Sequence, residues 1–435
     1  MTPRWLFVVL AACAPSAREL RGPVDRDVAA RLGGEPRLGE SIDATLAKPL
    51  DADAAVRIAI ANSPRLRAAL DELGIAGGEL AAALAIGPVQ IDAQYRRGSA
   101  GAYELELDAV QSVLGLVTAP RRRAAARAEL DAARAHATAA TLRLASRVIV
   151  AFADLTAAQQ ELELRRTAFD AADAAATLRE RMHAAGTASD LAQARDRDAR
   201  EQARIDLGRA EAALAIRREA INALLGLSGD QTKWTATGRL PDVPALAPAL
   251  DTLESHAVAA SLELVEANAR VTAAANRAGD ASVRAWLPEL GAGVSVIDTD
   301  GKTEVGPALR LGIPLLDQSS GQRARAEAAL RRDEHTRDAV AVELRARARA
   351  ARIAALASHA EARHLHDVVL PLRQQIVDET LLHYNAMDAD PFALIVARRE
   401  LVEAGHQYVD ALRRYWRAMT EVGALERGVS LADEP

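Results

Sequence analysis

Residues 121–185 read RRRAAARAELDAARAHATAATLRLASRVIVAFADLTAAQQELELRRTAFDAADAAATLRERMHAA, without a single glycine or proline. Apolar residues return every three or four positions in this stretch, as they do on one face of an α-helix. They are Leu130, Ala133, Ala137, Ala140, Leu144, Val148, Ala151 and Leu155. At about 1.5 Å per residue, a helix over the whole stretch is roughly 97 Å long. A globular core needs no helix of this length, so the stretch predicts a rod or a tunnel.

Short segments with alternating apolar and polar residues come before this helix. The alternation predicts strands over about 88–97 and 103–114, with Ile91 and Leu107 on apolar faces. The same alternation over about 288–297 and 303–316 predicts a second pair, with Leu309 on the apolar face. Each strand is about as long as a tilted bilayer crossing, roughly 9–11 residues.

The chain carries this order of segments twice. Pro88 and Pro288 precede the two strand pairs, and breaks in the helical pattern fall near Gly186 and Met387, so the offsets are 288 − 88 = 200 and 387 − 186 = 201 residues. The pattern predicts one repeat over 50–226, with long helices over about 118–185 and 188–226. It predicts a second over 251–426, with long helices over about 319–385 and 390–426, the first of them kinked or split at Pro371.

The first residues are typical of an export signal. Arg4 precedes the apolar run Trp5–Leu10, and the string Leu10-Ala11-Ala12-Cys13 resembles the lipobox of bacterial lipoproteins, whose cysteine is acylated. We predict a signal peptide over 1–13 with lipidation at Cys13, the alternative being an ordinary buried cysteine. No later run of 18 apolar residues follows, so a membrane crossing would have to use β-strands.

Composition argues against several classes of protein. A net charge of −6 provides no positive field for nucleic acid. His364 and His366 are two residues apart and fall on different faces of a helix, and no glycine-rich phosphate loop follows a strand. We therefore assign no metal site, no cofactor and no catalytic residue, and we expect a protein that is not an enzyme.

Motifs along the chain resemble the TolC-type outer-membrane efflux protein family. Ala61-Asn62-Ser63-Pro64-Arg65-Leu66 resembles the Asn-Pro-x-Leu signature of the opening helix, and Gly312-Ile313-Pro314-Leu315-Leu316-Asp317 resembles the Pro-Leu-Phe-Asp end of a strand. The segments 384–398 and 408–425 resemble the family's closing helix. The resemblance runs from about residue 50 to residue 426.

The resemblance implies a mainly α fold with a small β part. Each chain would contribute long helices to an α-helical barrel, or coiled-coil tunnel, and four transmembrane β-strands, and a homotrimer would close a 12-strand barrel (3 × 4). Residues 14–49 and 227–250, with the tail 427–435, would form a belt around the tunnel. The implied location is the outer membrane of a Gram-negative bacterium, in contact with its lipid. The implied partners are a periplasmic adaptor protein and an inner-membrane pump.

Two groups of candidate site residues follow. At the helical turns, Gly186, Thr187, Asp190 and Met387 are expected to shape the adaptor contact, and Asp388 and Asp390 to form an acidic periplasmic gate. Met387 stands where the family has glycine, and Asn385 is the expected substitute in the left-handed conformation. On the strands, Glu104, Glu106, Asp108 and Arg310 are expected to line the barrel lumen.

The function that this implies is a passive conduit that carries substrates, handed over by the pump and adaptor, from the periplasm to the exterior. Two alternatives stay open: a soluble coiled-coil scaffold protein of the cell envelope, and the outer-membrane component of a type I protein secretion system. The cargo, whether drug, metal ion or protein, is not indicated by any residue pattern.

Overall fold

The computed structural model describes residues 16–85, 87–98, 101–236, 238–287, 289–312 and 320–431. Cys13 with the predicted signal peptide, Pro288, and residues 313–316 of the fourth predicted strand lie outside the described residues. The helices are α1 Ala17–Leu32, α2 Ile42–Leu46, α3 Ala52–Asn62, α4 Pro64–Leu84, α5 Val113–Ala184, α6 Asp190–Leu225, α7 Leu253–Ala260, α8 Leu262–Trp286, α9 Ser320–His364, α10 Leu370–Asn385 and α11 Pro391–Glu426. The strands are β1 Gln90–Arg97, β2 Tyr103–Ser112, β3 Glu289–Thr299 and β4 Lys302–Gly312.

The predicted mainly α fold with a small β part is confirmed, because 74% of the described residues are helical and the strands form one small antiparallel sheet. Helices, a strand pair and then long helices follow one another twice along the chain. Among the described residues, no helix combines the length and the apolar character that a membrane crossing requires.

The chain divides into two compact units, each built from separate segments. One unit contains Arg67–Ala139 and Leu262–Glu343 with the described residues up to Asp27, and the other contains Val28–Leu66, Ala140–Ser261 and the described residues from Leu344 onward. The long helices α5 and α9 contribute residues to both units.

The first unit holds the four-stranded sheet, in the order β1-β2-β3-β4. The central pair, β2 with β3, joins one repeat to the other, with Leu107 opposite Val296. In the same unit, α8 packs on the first part of α5, where the Arg121 guanidinium donates a hydrogen bond to the Gly279 carbonyl at 3.0 Å. The sheet is therefore made jointly by both repeats.

The second unit has two apolar cores, and the segment 227–250 supplies side chains to both. Trp234 is fully buried in the first core with Ile58, Val148 and Ile221, and its indole N–H donates to the side-chain oxygen of Asn222 at 2.8 Å. In the second core, Leu240 and Val243 pack with Leu365, Leu412 and Tyr415. This segment is thus anchored along its length.

Helix α5 begins at Val113, five residues before the expected start at 118, and β2 ends at Ser112 instead of 114. The reason is a cap that the alternation pattern hides. The Ser112 hydroxyl accepts a hydrogen bond from the Gly115 N–H at 3.0 Å, which satisfies a donor of the first helical turn.

Pro371 neither breaks nor splits the third long helix. Instead, a π-helical segment over Leu365–Val369 connects α9 to α10, directly before the proline. Proline has no N–H, and in an α-helix its ring clashes with the carbonyl four residues earlier, here that of Asp367. The wider π turn removes that clash and lets the helix continue.

Candidate functional site

The two faces of the sheet differ in chemistry. Paired residues of neighbouring antiparallel strands point to the same side, so the register places one set of charged side chains on a single face. That polar face carries Gln90, Asp92, Gln94 and Arg96 of β1, Glu104, Glu106 and Asp108 of β2, Glu289 and Ser295 of β3, and Lys302, Glu304 and Arg310 of β4. Carboxylates outnumber the basic groups on it.

The four residues predicted to line a lumen lie together on this polar face. Arg96 contacts Glu104, with Nη1 and Oε1 2.8 Å apart, and approaches Glu106 at 3.9 Å. One carboxylate oxygen of Asp108 is buried and has no hydrogen-bond donor among the described residues. The face is an ion-pair network with an excess of negative charge.

Arg310 shows that the sheet curls towards its polar face. Its guanidinium, on edge strand β4, lies 2.5 Å from Asp92 and 2.8 Å from Gln90, both on the opposite edge strand β1. In a flat sheet these strands would be about 14 Å apart. Side chains stand upright on a sheet, so the contact requires that the two edges bend towards each other.

Two glycines on the polar face permit close approach of the strands. A Cβ added to Gly293 would lie 1.9 Å from the carbonyl oxygen of Ala109, and one added to Gly291 would lie 2.7 Å from the Val110 side chain. Any larger residue at 293 would therefore separate β2 from β3. The sequence Leu-Gly-Ala-Gly at 290–293 carries this signal, which the alternation pattern alone does not reveal.

The other face of the sheet is apolar and exposed. Ile91, Val305 and Leu309 keep 73%, 68% and 81% of their surface accessible, and Tyr95 stacks on Tyr103 with ring centroids 6.4 Å apart. A sheet in a water-soluble protein hides its apolar face and wets its polar one. This sheet is curled the opposite way, with the polar face on the inside of the curve.

The first helical turn joins α5 to α6. Gly186 adopts a φ of +74°, and the N–H of Thr187 donates to the Met182 carbonyl at 2.9 Å while that of Gly186 donates to His183 at 2.8 Å. These two bonds form a Schellman motif, which closes the helix end. Ser189 then caps α6 through the Ala192 N–H, so Asp190 is the first helical residue and not the cap.

The second turn, between α10 and α11, has the same geometry 201 residues later. The N–H of Asp388 donates to the His383 carbonyl at 2.9 Å, and that of Met387 donates to Tyr384 at 3.0 Å. Met387 itself takes the left-handed conformation, with φ +63°, so the expectation for Asn385 is wrong: Asn385 is the last residue of α10. Asp390 caps α11 by accepting from the Phe392 N–H at 2.9 Å.

The predicted residues of both turns are exposed. One turn closes the helical hairpin α5–α6 and the other closes the hairpin α10–α11, and one cation–π contact joins these two hairpins. The guanidinium of Arg179, on α5, lies over the ring of Phe392, on α11, at 3.3 Å from its centroid. The same guanidinium contacts Asp196 of α6 at 2.6 Å. The sequence did not predict this contact, because neither the spacing along the chain nor the residue types identify Arg179 and Phe392 as partners.

One buried histidine lies between the helices of the second unit. His406 of α11 is buried, and neither ring nitrogen has a hydrogen-bond partner among the described residues. Burial and, to a smaller extent, the positive charge of Arg165 on α5 lower the pKa of His406 to about 4, while Asp206 of α6 acts in the opposite direction. The ring is therefore neutral at physiological pH.

No group of three or more histidine, cysteine, aspartate or glutamate side chains within the described ranges is arranged to hold a metal ion. Two features form the candidate site. One is the inverted sheet, which consists of strands β1–β4 with their apolar face exposed and their polar face on the inside of the curve. The other is the pair of helical turns at Gly186 and Met387.

Comparison with known proteins identifies the fold. No family model matches the sequence, and no curated protein matches it. Among solved structures, the outer membrane protein VceC from Vibrio cholerae matches with a TM-score of 0.71 and 17% identity, over 87% of this chain and 96% of its own. The CmeC outer membrane channel of Campylobacter jejuni matches with a TM-score of 0.73 and 12% identity, over 88% of this chain and 87% of its own.

The open-state MtrE outer membrane channel of Neisseria gonorrhoeae also matches, with a TM-score of 0.60 and 16% identity, over 87% of this chain and 89% of its own. These alignments cover both repeats and nearly the whole length of each channel. The chain therefore has the fold of the TolC-type outer-membrane channel proteins.

Proposed function

We propose that this chain is one subunit of an outer-membrane channel, a passive conduit from the periplasm to the exterior within a tripartite efflux system. The observation that carries the proposal is the inverted sheet, whose apolar face is exposed while its ion pairs lie on the inside of the curve. Lipid on the apolar side and water on the polar side satisfy both faces. The fold shared with solved outer-membrane channels supports the same conclusion.

The sheet also indicates that one chain is not enough. Strands β1 and β4 are its edges, and an open edge exposes backbone N–H and C=O groups that lipid does not satisfy. Three copies, with β4 of one chain pairing with β1 of the next, would close 12 strands (3 × 4). Glu104, Glu106, Asp108 and Arg310 would then line a lumen with an excess of negative charge.

The helical turns are the proposed meeting point with the rest of the system. Gly186, Thr187, Asp190 and Met387 would contact a periplasmic adaptor that links the channel to an inner-membrane pump. Asp388 and Asp390, repeated threefold, would form the acidic gate. Support comes from their exposed position at two turns of matching geometry.

Cys13 would carry a lipid that anchors the chain to the outer membrane, in addition to the strands. The support is the string Leu10-Ala11-Ala12-Cys13. Labelling with radioactive palmitate, in the native chain and in Cys13→Ser, tests this part separately; equal labelling of both chains would refute it.

Leu309→Arg tests the membrane sheet, with Gln94→Arg on the polar face as the matched control. Arginine at mid-bilayer on the lipid side of a barrel costs about 2–4 kcal/mol, whereas the lumen side accepts it. After membrane fractionation and an unboiled gel, we expect a trimer-sized band in the outer membrane for the native chain and for Gln94→Arg. For Leu309→Arg that band should be strongly reduced.

The soluble scaffold alternative makes the opposite prediction. On an exposed strand in water, arginine at 309 would be harmless. A native chain recovered entirely as a soluble monomer, or Leu309→Arg assembling as well as Gln94→Arg, would exclude the channel.

A further inference from the structure

A cavity of about 510 Å³ lies between the two helical hairpins of the second unit. It is bounded by α5 and α6 on one side and by α10 and α11 on the other, next to the contact between Arg179 and Phe392. Its volume is within the range of sites that hold small organic molecules, about 300–1,000 Å³.

The cavity exists because small side chains face it from α5. Four alanines line that wall, at 168, 171, 172 and 175, while α10 and α11 contribute larger residues such as Val377, Ile395 and Val402. Alanine side chains leave space that a leucine would fill.

The polar groups of the cavity favour an anion. Arg398 and Arg399 line it, and neither has an ion pair or side-chain hydrogen bond among the described residues. Of the two lining aspartates, Asp196 is paired with Arg179 at 2.6 Å. Asp378 accepts a hydrogen bond only from the neutral amide of Gln374 at 2.9 Å, so its negative charge offsets one of the two arginines and one positive charge remains in excess for a ligand.

We propose that this cavity binds a small amphiphilic organic anion. The apolar body of the ligand lies against the alanines of α5 and the aliphatic side chains of α10 and α11. Its carboxylate or sulfonate accepts hydrogen bonds from the guanidinium groups of Arg398 and Arg399, whose planar donors suit such oxygen groups.

A ligand in this place would touch both hairpins. One hairpin ends in the turn at Gly186 and the other in the turn at Met387, so an occupied cavity holds the two turns together. The site thus differs in place and chemistry from the polar face of the sheet, and binding there does not depend on transport through the proposed channel.

The test is calorimetric titration of the purified full-length chain with naphthalene-2-sulfonate, after subtraction of the same detergent or lipid without protein. We expect saturable binding of one molecule per chain. Naphthalene-2-methanol has the same ring without the charge, and we expect it to bind at least about tenfold more weakly, because hydrogen bonds to charged groups are the stronger ones.

Variants locate the site. Ala171→Leu fills the cavity and should abolish binding, whereas Ala174→Leu, on the exposed side of the same helix, should leave it unchanged. The double variant Arg398→Gln/Arg399→Gln should remove the preference for the sulfonate over the alcohol, and Arg195→Gln on the surface of α6 should preserve it. Circular dichroism confirms that each variant keeps its helices.

Three results would overturn the proposal. Two of them require no variant: the absence of saturable sulfonate binding to the native chain, and equal affinity for the neutral alcohol. The third is unchanged affinity in Ala171→Leu, which would place the ligand elsewhere.

Discussion

Replacing Gly293 by alanine should open the sheet between β2 and β3. The new Cβ would lie 1.9 Å from the Ala109 carbonyl oxygen and 2.7 Å from the Cα of Val110. Both are backbone atoms, so no side-chain rotation relieves the clash and the strands must separate. Losing two or three ladder hydrogen bonds at about 1 kcal/mol each, with packing strain of about 1–3 kcal/mol, gives a loss of roughly 3–6 kcal/mol in local stability.

Hydrogen–deuterium exchange measures this loss directly, in peptides that cover β2. Gly306→Ala is the matched control, because the added Cβ meets nothing within 4 Å on the same sheet. Its opening free energy should stay within about 0.5 kcal/mol of the native value. If the β2 amides exchange as slowly in Gly293→Ala as in the native chain, the added Cβ does not separate β2 from β3 and the reasoning is refuted.

Two further predictions concern the helices. Met387→Gly should stabilise the second turn by about 1 kcal/mol, because a left-handed conformation is unfavourable for any residue with a Cβ. Hydrogen exchange of the Asp388 amide measures this gain and should be slower in the variant, whereas Gly186→Ala should make exchange of the Thr187 amide faster. Exchange rates equal to those of the native chain would refute the prediction. His406 should make the second unit acid-sensitive: its pKa is about 4 in the folded chain against 6.5 in the unfolded one, so the stability that neutral His406 provides is complete above pH 6.5 and is lost as the pH falls towards 4. Between pH 7.5 and pH 5 the loss should be about 2 kcal/mol, seen as a lower unfolding temperature, and it should be absent in His406→Leu; equal pH dependence in both chains would contradict the assignment.

The sequence predicted the fold class well, because two strong regularities coincide. The stretch 121–185 contains no glycine or proline and repeats its apolar residues at helical spacing, so it predicts one long helix. The offset of 200 or 201 residues makes each repeat a check on the other. The same alternation that located the strands also placed Glu104, Glu106, Asp108 and Arg310 on one face of the sheet.

The details that sequence reasoning missed depend on three-dimensional contacts. No pattern along the chain brings Arg310 to Asp92, because the contact exists only when the sheet curls. The left-handed residue of the second turn is Met387 because the hydrogen-bond geometry fixes the position, whichever residue the sequence supplies there. Pro371 was expected to kink or split its helix, but a π-helical segment directly before it accommodates the proline.

The inverted sheet also limits how this chain can exist before it reaches its final surroundings. In water, a single copy presents exposed apolar side chains such as Val305, together with the outer edges of β1 and β4, which pair with no further strand in the part of the chain that the structure describes. Such edges are templates for uncontrolled aggregation. If the chain assembles into the trimer proposed above, we expect the yield of assembled protein to depend on how quickly newly made copies meet one another, more than on the stability of the helices.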